Sequence, residues 1–216
     1  MKASSPELEA LSPELEALSP EFYGRPVLEV ARGLIGCTVE HGGAAGVIVE
    51  TEAYHESEPA CHAFVGLTPR TRTLFGPPGR AYVYRSYGIH ALLNAVCEPE
   101  GVGAAVLIRA LQPTAGTAAM RARRRSGAQR SREERPAREE DLCSGPGKLT
   151  QALGVSLAQN GGDLFAGAVR IGPRSQEWLH PTILLATRIG ISRAVELRWR
   201  FCLAGSRHVS RPRPQL

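Results

Sequence analysis

The sequence predicts an α+β fold, and three observations carry that reading. Runs at period two recur at GVIVETEAY (46–54), RAYVYRSY (80–87) and GAAVLIRAL (103–111), as strands do. Apolar residues at helical spacing lie between and before them, as in VLEVARGLI (27–35). The two kinds of segment do not alternate in a βαβ rhythm, which favours α+β over α/β. A length of 216 residues suits one domain with a substantial core.

The chain opens with SPELEAL (5–11), repeats it at 12–18, and follows with SPEF (19–22). Ser-Pro-Glu is a helix-start pattern, with serine as cap and proline in the first turn. A proline every seventh residue forbids one continuous helix. Residues 1–20 are therefore expected to form a mobile acidic extension, 21–205 the functional domain, and 206–216 a frayed Arg/Pro-rich tail. After the helix at 27–35 and the strand at 46–54, RAYVYRSY and IHALLNAV form a strand pair turning at Ser86–Gly88, with the hairpin protruding. GAAVLIRAL is a further strand and AGTAAMRARRR a helix. Residues 125–141 read as an exposed charged loop, and SGPGKLTQALGV (144–155) as a glycine turn opening a helix.

Composition narrows the function classes. No stretch approaches the ~20 apolar residues of a membrane span, and the start lacks the charged-then-apolar pattern of a secretion signal. A cytoplasmic location is expected, nucleoid-associated if the source is bacterial. Cys37, Cys61, Cys97, Cys143 and Cys202 are widely spaced and form no CxxC pair, against structural zinc, an iron–sulfur cluster or a disulfide scaffold. The net charge is +5, yet in residues 1–20 Lys2 stands against Glu7, Glu9, Glu14 and Glu16, a net of −3, so the remainder carries +8. That balance favours a polyanionic partner.

The chemistry concentrates in a few segments. On a regular strand Ile48, Glu50, Glu52 and Tyr54 share one face, and Val47, Val49 and Thr51 the other. A carboxylate two residues from a tyrosine can serve as a general base beside a stacking ring, and burial would raise its proton affinity. Two ordinary glutamates at a solvent-facing strand end would give the same pattern. His62, in CHAFVG, does not complete the H-x-E and P-C-x-x-C pattern of a zinc deaminase. Three of the five tyrosines, Tyr82, Tyr84 and Tyr87, fall within six positions beside Arg80 and Arg85. Tyr82 reads as core packing. Tyr87 sits at a turn, where a projecting ring can act as a wedge between base pairs. Asn94 is an amide in an apolar strand and needs partners. Arg109 is a guanidinium in another and needs a carboxylate, for which Glu50 and Glu52 are available. One pocket collecting these groups would have aromatic walls, a polar discriminator and an arginine-oriented carboxylate, as in a base-flipping enzyme.

The blocks VARGLIGCTV, GVIVETEAYHESEPACHA, TPRTRTLFGPPGRAYVYRSYGIHALLNAV, GAAVLIRALQP and LCSGPGKLTQALGV resemble the alkyladenine (3-methyladenine) DNA glycosylase family, in order, from about residue 20 to about 172. The resemblance implies a single α+β domain around a curved antiparallel sheet. It implies cofactor-free, metal-free hydrolysis of the N-glycosidic bond of alkylated or deaminated purines in double-stranded DNA, with hypoxanthine a further candidate, by a monomer. Carried over by motif, Glu52 would activate water and Arg109 would help hold it. Tyr54, His62 and Tyr84 would sandwich the flipped base, Asn94 would crowd a purine 2-amino group, Tyr87 would be the wedge, and Lys148 would contact phosphate.

Two other readings compete. PEGVG (99–103) has the glycines of a helix-hairpin-helix glycosylase, but AAVLIRAL follows at once and is a strand. A non-catalytic lesion-binding or RNA-binding protein would have no need of an oriented carboxylate at Glu52. Within the enzyme reading, Lys2, Lys148 and the N-terminus are the only amines. A strand-cutting glycosylase needs an amine nucleophile, so a monofunctional hydrolase is expected.

Overall fold

The computed structural model describes residues 16–127 and 138–214. Two helices, α1 (Pro20–Tyr23) and α2 (Val27–Leu34), precede strands β1 (Cys37–His41) and β2 (Ala44–His55). The hairpin β3 (Ala81–Ser86) and β4 (His90–Val96) leads into β5 (Ala104–Ala115), then helices α3 (Thr117–Gly127), α4 (Glu139–Leu142) and α5 (Pro146–Leu153). β6 (Arg170–Arg174), β7 (Ile183–Ala186) and β8 (Arg200–Leu203) close the described chain. All strand pairs are antiparallel. The order is β3-β4-β5-β2-β1-β6, with β8 pairing β2 and β7, an open eight-stranded sheet. The α+β class holds. No helix among the described residues is long and apolar enough to cross a membrane.

α2 shows why the sequence folds this way. Val27, Val30, Ala31 and Leu34 recur at helical spacing and are buried. They join one contiguous core with Val49, Ala53, Leu93 and Ile108 from the sheet and Leu149 and Leu153 from α5. Each fully buried aliphatic side chain contributes about 1.5–3 kcal/mol. The hydroxyl of Thr51 donates to Ala31 O at 2.8 Å, and that of Thr150 to Ala91 O at 2.7 Å, fixing α2 and α5 to their strands.

β2 departs from the simple alternation. Ile48 pairs with Leu111 and Glu50 with Ala110, so Val49 is an extra residue; Thr51 then pairs with Ile108, so Arg109 is extra on β5. Such bulges bend a strand and re-aim its side chains. Ile48 consequently joins Val49 in the core instead of sharing a face with Glu50. At the same place the outer partner of β2 changes from β1, opposite residues 44–47, to β8, opposite residues 50–52.

The ends also differ from expectation. The SPELEAL repeats lie mostly outside the described residues. Within 16–20, Leu18 donates its N–H to Ile171 O at 2.7 Å and packs on the core, so the attachment begins inside the stretch assigned to an extension. The tail read as frayed is docked from Val209, which is buried, with Ser210 5% exposed. The reason is electrostatic: buried Glu50 draws the Ser210 N–H (2.7 Å) and hydroxyl (2.8 Å) as donors. In the 125–141 loop, residues 128–137 lie outside the described residues, and both flanks are helical.

Candidate active site

The site is a row of paired residues crossing five strands. Tyr82 on β3 faces Asn94 on β4, Asn94 faces Leu107 on β5, Leu107 faces Glu52 on β2, and Glu52 faces Arg200 on β8. Paired residues of antiparallel strands project to the same side. Two residues further along their strands, Tyr84 and Tyr54 therefore emerge beside Tyr82 and Glu52. A cavity of about 730 Å³ opens over this row, and Tyr54, His62, Tyr84, Tyr87, Asn94, Arg109 and Lys148 all line it. Arg70, Arg85 and Arg193 lie on its wall as well, and no carboxylate does among the described residues.

Glu52 sits immediately behind that wall, with 0% exposure. Its Oε2 accepts from the Tyr54 hydroxyl at 2.8 Å and from Arg109 at 3.2 Å, and its Oε1 accepts from the Ile189 N–H at 2.7 Å. Burial pushes its pKa above the ordinary carboxylate value, against the pull of Arg109, the Ile189 N–H and Tyr54. Glu50 goes the other way. Burial would raise it, but Arg109, Arg200 and Ser210 outweigh that and hold it ionised below the usual range. Arg109 thus bridges two buried carboxylates, donating Nε to Glu50 at 3.0 Å and one amino group to Glu52. The pairing anticipated for Arg109 with Glu50 or Glu52 is made with both.

The aromatic groups form a second layer. Tyr82 and Tyr84 stack with centroids 5.3 Å apart. His62 meets Tyr84 edge to face at 4.6 Å, and its Nδ1 lies 3.1 Å from the Tyr82 hydroxyl. Burial and the charge of Arg70 lower the His62 pKa, favouring the neutral ring. Tyr82, read as core, is buried but belongs to this layer, in a small cluster with Cys61, Leu74 and Ala105. The Asn94 side-chain amide donates to Tyr82 O at 2.9 Å and to Leu92 O at 3.4 Å. This satisfies the amide nitrogen and holds the group at the cavity floor.

Tyr87 occupies the tip of the β3–β4 hairpin, 87% exposed. Its φ is 49° and that of Gly88 is 70°, so both central turn residues are left-handed. Glycine accepts that conformation freely, whereas a tyrosine there is uncommon. Next to the hairpin tip, where His90 pairs with Ser86, α5 approaches closely: a Cβ on Gly147 would lie 2.8 Å from the ring of His90. This close approach accounts for the glycine before Lys148, whose Nζ reaches Ser144 Oγ at 3.2 Å.

The methylpurine-DNA glycosylase family model matches residues 21–207 of this chain. The chain belongs to that family. A relative from Rhodopseudomonas palustris (strain CGA009), named "Putative 3-methyladenine DNA glycosylase", is 53% identical over 194 residues, covering 90% of this chain and 88% of its own. One from Bradyrhizobium diazoefficiens with the same name is 50% identical, covering 90% of each chain. An archaeal one from Methanoculleus marisnigri, also so named, is 46% identical over 88% of this chain and 96% of its own.

Several residues of this family member's site were not legible in the sequence. Arg200 donates to Glu50 at 2.7 Å, and Ser210 donates to both oxygens of the same carboxylate. Arg188, paired with buried Glu58 at 2.6 Å, lies 4.7 Å from the Tyr54 ring centroid, bracing that wall from outside the cavity. The run of arginines after 188 was visible, but nothing in its spacing separates the buried ones from the exposed ones.

Proposed function

We propose that this protein is a monofunctional, monomeric DNA glycosylase that flips alkylated purines out of duplex DNA and hydrolyses their N-glycosidic bond with a water activated by Glu52. The observation that carries the reading is the basic-walled cavity of about 730 Å³ with Glu52 held behind it by Arg109, Tyr54 and the Ile189 N–H. Family membership and the relatives' names support methylated purines as substrates. His62 and Tyr84 are in contact, so the base lies between that pair and Tyr54 and not between the two. Neutral His62 avoids repelling a cationic base. Asn94 at the floor would crowd a 2-amino group and disfavour guanine; hypoxanthine, which has none, would be accepted.

In the reaction Glu52 takes a proton from water as oxygen attacks C1′ and the C1′–N bond breaks, the electron pair leaving with the purine. A cationic purine departs neutral and needs no added proton. Glu52 must be ionised to accept the proton, and its pKa is raised, so excision increases with pH through that raised value. The acidic limb of the single-turnover rate on 3-methyladenine duplex should lie above the ordinary carboxylate range. A limb at or below that range would remove Glu52 as the base.

Tyr87 would fill the gap left by the flipped base. A stacked ring contributes about 1–3 kcal/mol. Tyr87→Ala should therefore weaken binding to lesion duplex by a corresponding amount, with melting temperature little changed because Tyr87 is 87% exposed. Unaltered affinity in a titration would assign the ring no role in DNA binding.

A further inference from the structure

A second cavity, of about 330 Å³, adjoins the first and shares Arg109, Gly145 and Lys148 with it. The tail residues Ser210, Arg211 and Arg213 line its other side. The one carboxylate among its described lining residues, Asp141, accepts a hydrogen bond from Arg138 at 3.0 Å. Arg109 is already matched by Glu50 and Glu52, so Lys148, Arg211 and Arg213 leave the cavity with a surplus of positive charge. Like charges gathered around a cavity repel unless an anion lies among them.

The tail is held so as to present these groups. Arg200 donates to Ser210 O at 3.2 Å and to Pro212 O at 3.0 Å, gripping the backbone on both sides of Arg211. Arg213 is tied back to Val209 O at 3.2 Å, while the Arg211 residue stays exposed. The family match ends at residue 207, so it assigns these positions nothing.

We propose that the second cavity is a phosphate site, which receives a phosphodiester of the lesion strand beside the flipped nucleotide on Lys148 and Arg211. The assignment rests on the glycosylase reading above. A nucleotide with its base in the first cavity has C1′ near Arg109, and its flanking phosphodiesters lie a few bonds away, towards the shared wall. Arginine offers a planar fork to two phosphate oxygens, and lysine a point charge. Free inorganic phosphate would satisfy the same groups.

The test uses the full chain, wild type and Arg211→Gln, with duplexes carrying a non-cleavable lesion analogue and one uncharged methylphosphonate linkage at successive positions. Arg211→Gln should bind several-fold more weakly, and the slope of log K against log salt should fall by about 0.9, the share of one phosphate. One flanking methylphosphonate should weaken wild type several-fold and weaken Arg211→Gln distinctly less, since only Lys148 is left on that phosphate, and Arg211→Lys should restore most of the slope. Equal slopes and equal responses at every position would overturn the proposal. Stabilisation of wild type but not Arg211→Gln by inorganic phosphate, without coupling to any linkage, would also overturn it in favour of a free-anion site. Wild type that excises lesions but shows no coupling defeats this proposal alone. Wild type that excises nothing defeats the glycosylase reading instead.

Discussion

Glu52→Gln is expected to bind lesion duplex as wild type does and to lose about 10²–10⁴-fold in single-turnover excision, the usual contribution of a general base. Glutamine keeps the shape of the group and can still accept from the Ile189 N–H or the Tyr54 hydroxyl, so the cavity stays formed. What disappears is the one carboxylate among the described residues whose pKa is raised, the group proposed to take a proton from water. Glu50 cannot substitute. Two guanidiniums, Arg109 and Arg200, together with Ser210 outweigh its burial and lower its basicity, the opposite of the balance at Glu52. An excision rate near that of wild type would remove Glu52 from its role.

Arg109→Met should cost about 3–5 kcal/mol of stability, the usual effect of leaving buried charge without its partner. Arg109 is 6% exposed and separates two carboxylates that are fully buried. Arg200 still neutralises Glu50 in the variant, but Glu52 loses its cation and faces Glu50 directly. The sign of the pH dependence follows. Without Arg109 the folded-state pKa of Glu52 rises further above its unfolded value, so the folded variant binds more protons than the unfolded chain. Its stability falls as pH rises, and the deficit against wild type should be larger at alkaline than at acidic pH. Urea melts across pH measure this, and a deficit under about 1 kcal/mol throughout would show that the pairs contribute nothing net.

The fold was legible where one physical period dominated. The α2 stripe, β2, β5 and the β3–β4 hairpin follow from apolar spacing and from the Tyr87-Gly88 turn. β1 and β6 to β8 were not, because strands of four or five residues are too short for a period to show, and β6 also contains Gly172 and Pro173. At the site, the polar residues within apolar strands were informative: Asn94 and Arg109 each demanded a partner, met by the Tyr82 and Leu92 carbonyls for one and by Glu50 and Glu52 for the other, whereas the glutamates alone could have been solvent-facing. The bulges at Val49 and Arg109 left no sequence mark, since they arise from the mismatch of two strands rather than from either one. They displaced Ile48 from its expected face. The tail was misread for a similar reason. Its arginines and prolines read as solvated chain, whereas Ser210 is drawn in by Glu50, distant by 160 positions.

The most direct test of the account is product analysis of full-length protein on a duplex with one 3-methyladenine, in chelator, with borohydride present during turnover. A water mechanism predicts free methylated base, an unbroken abasic strand and no covalent protein–DNA species, although Lys148 lines the cavity, where it reaches Ser144 at a helix start. A nicked strand, or a borohydride-trapped adduct that disappears in Lys148→Ala, would contradict it and make that lysine the nucleophile.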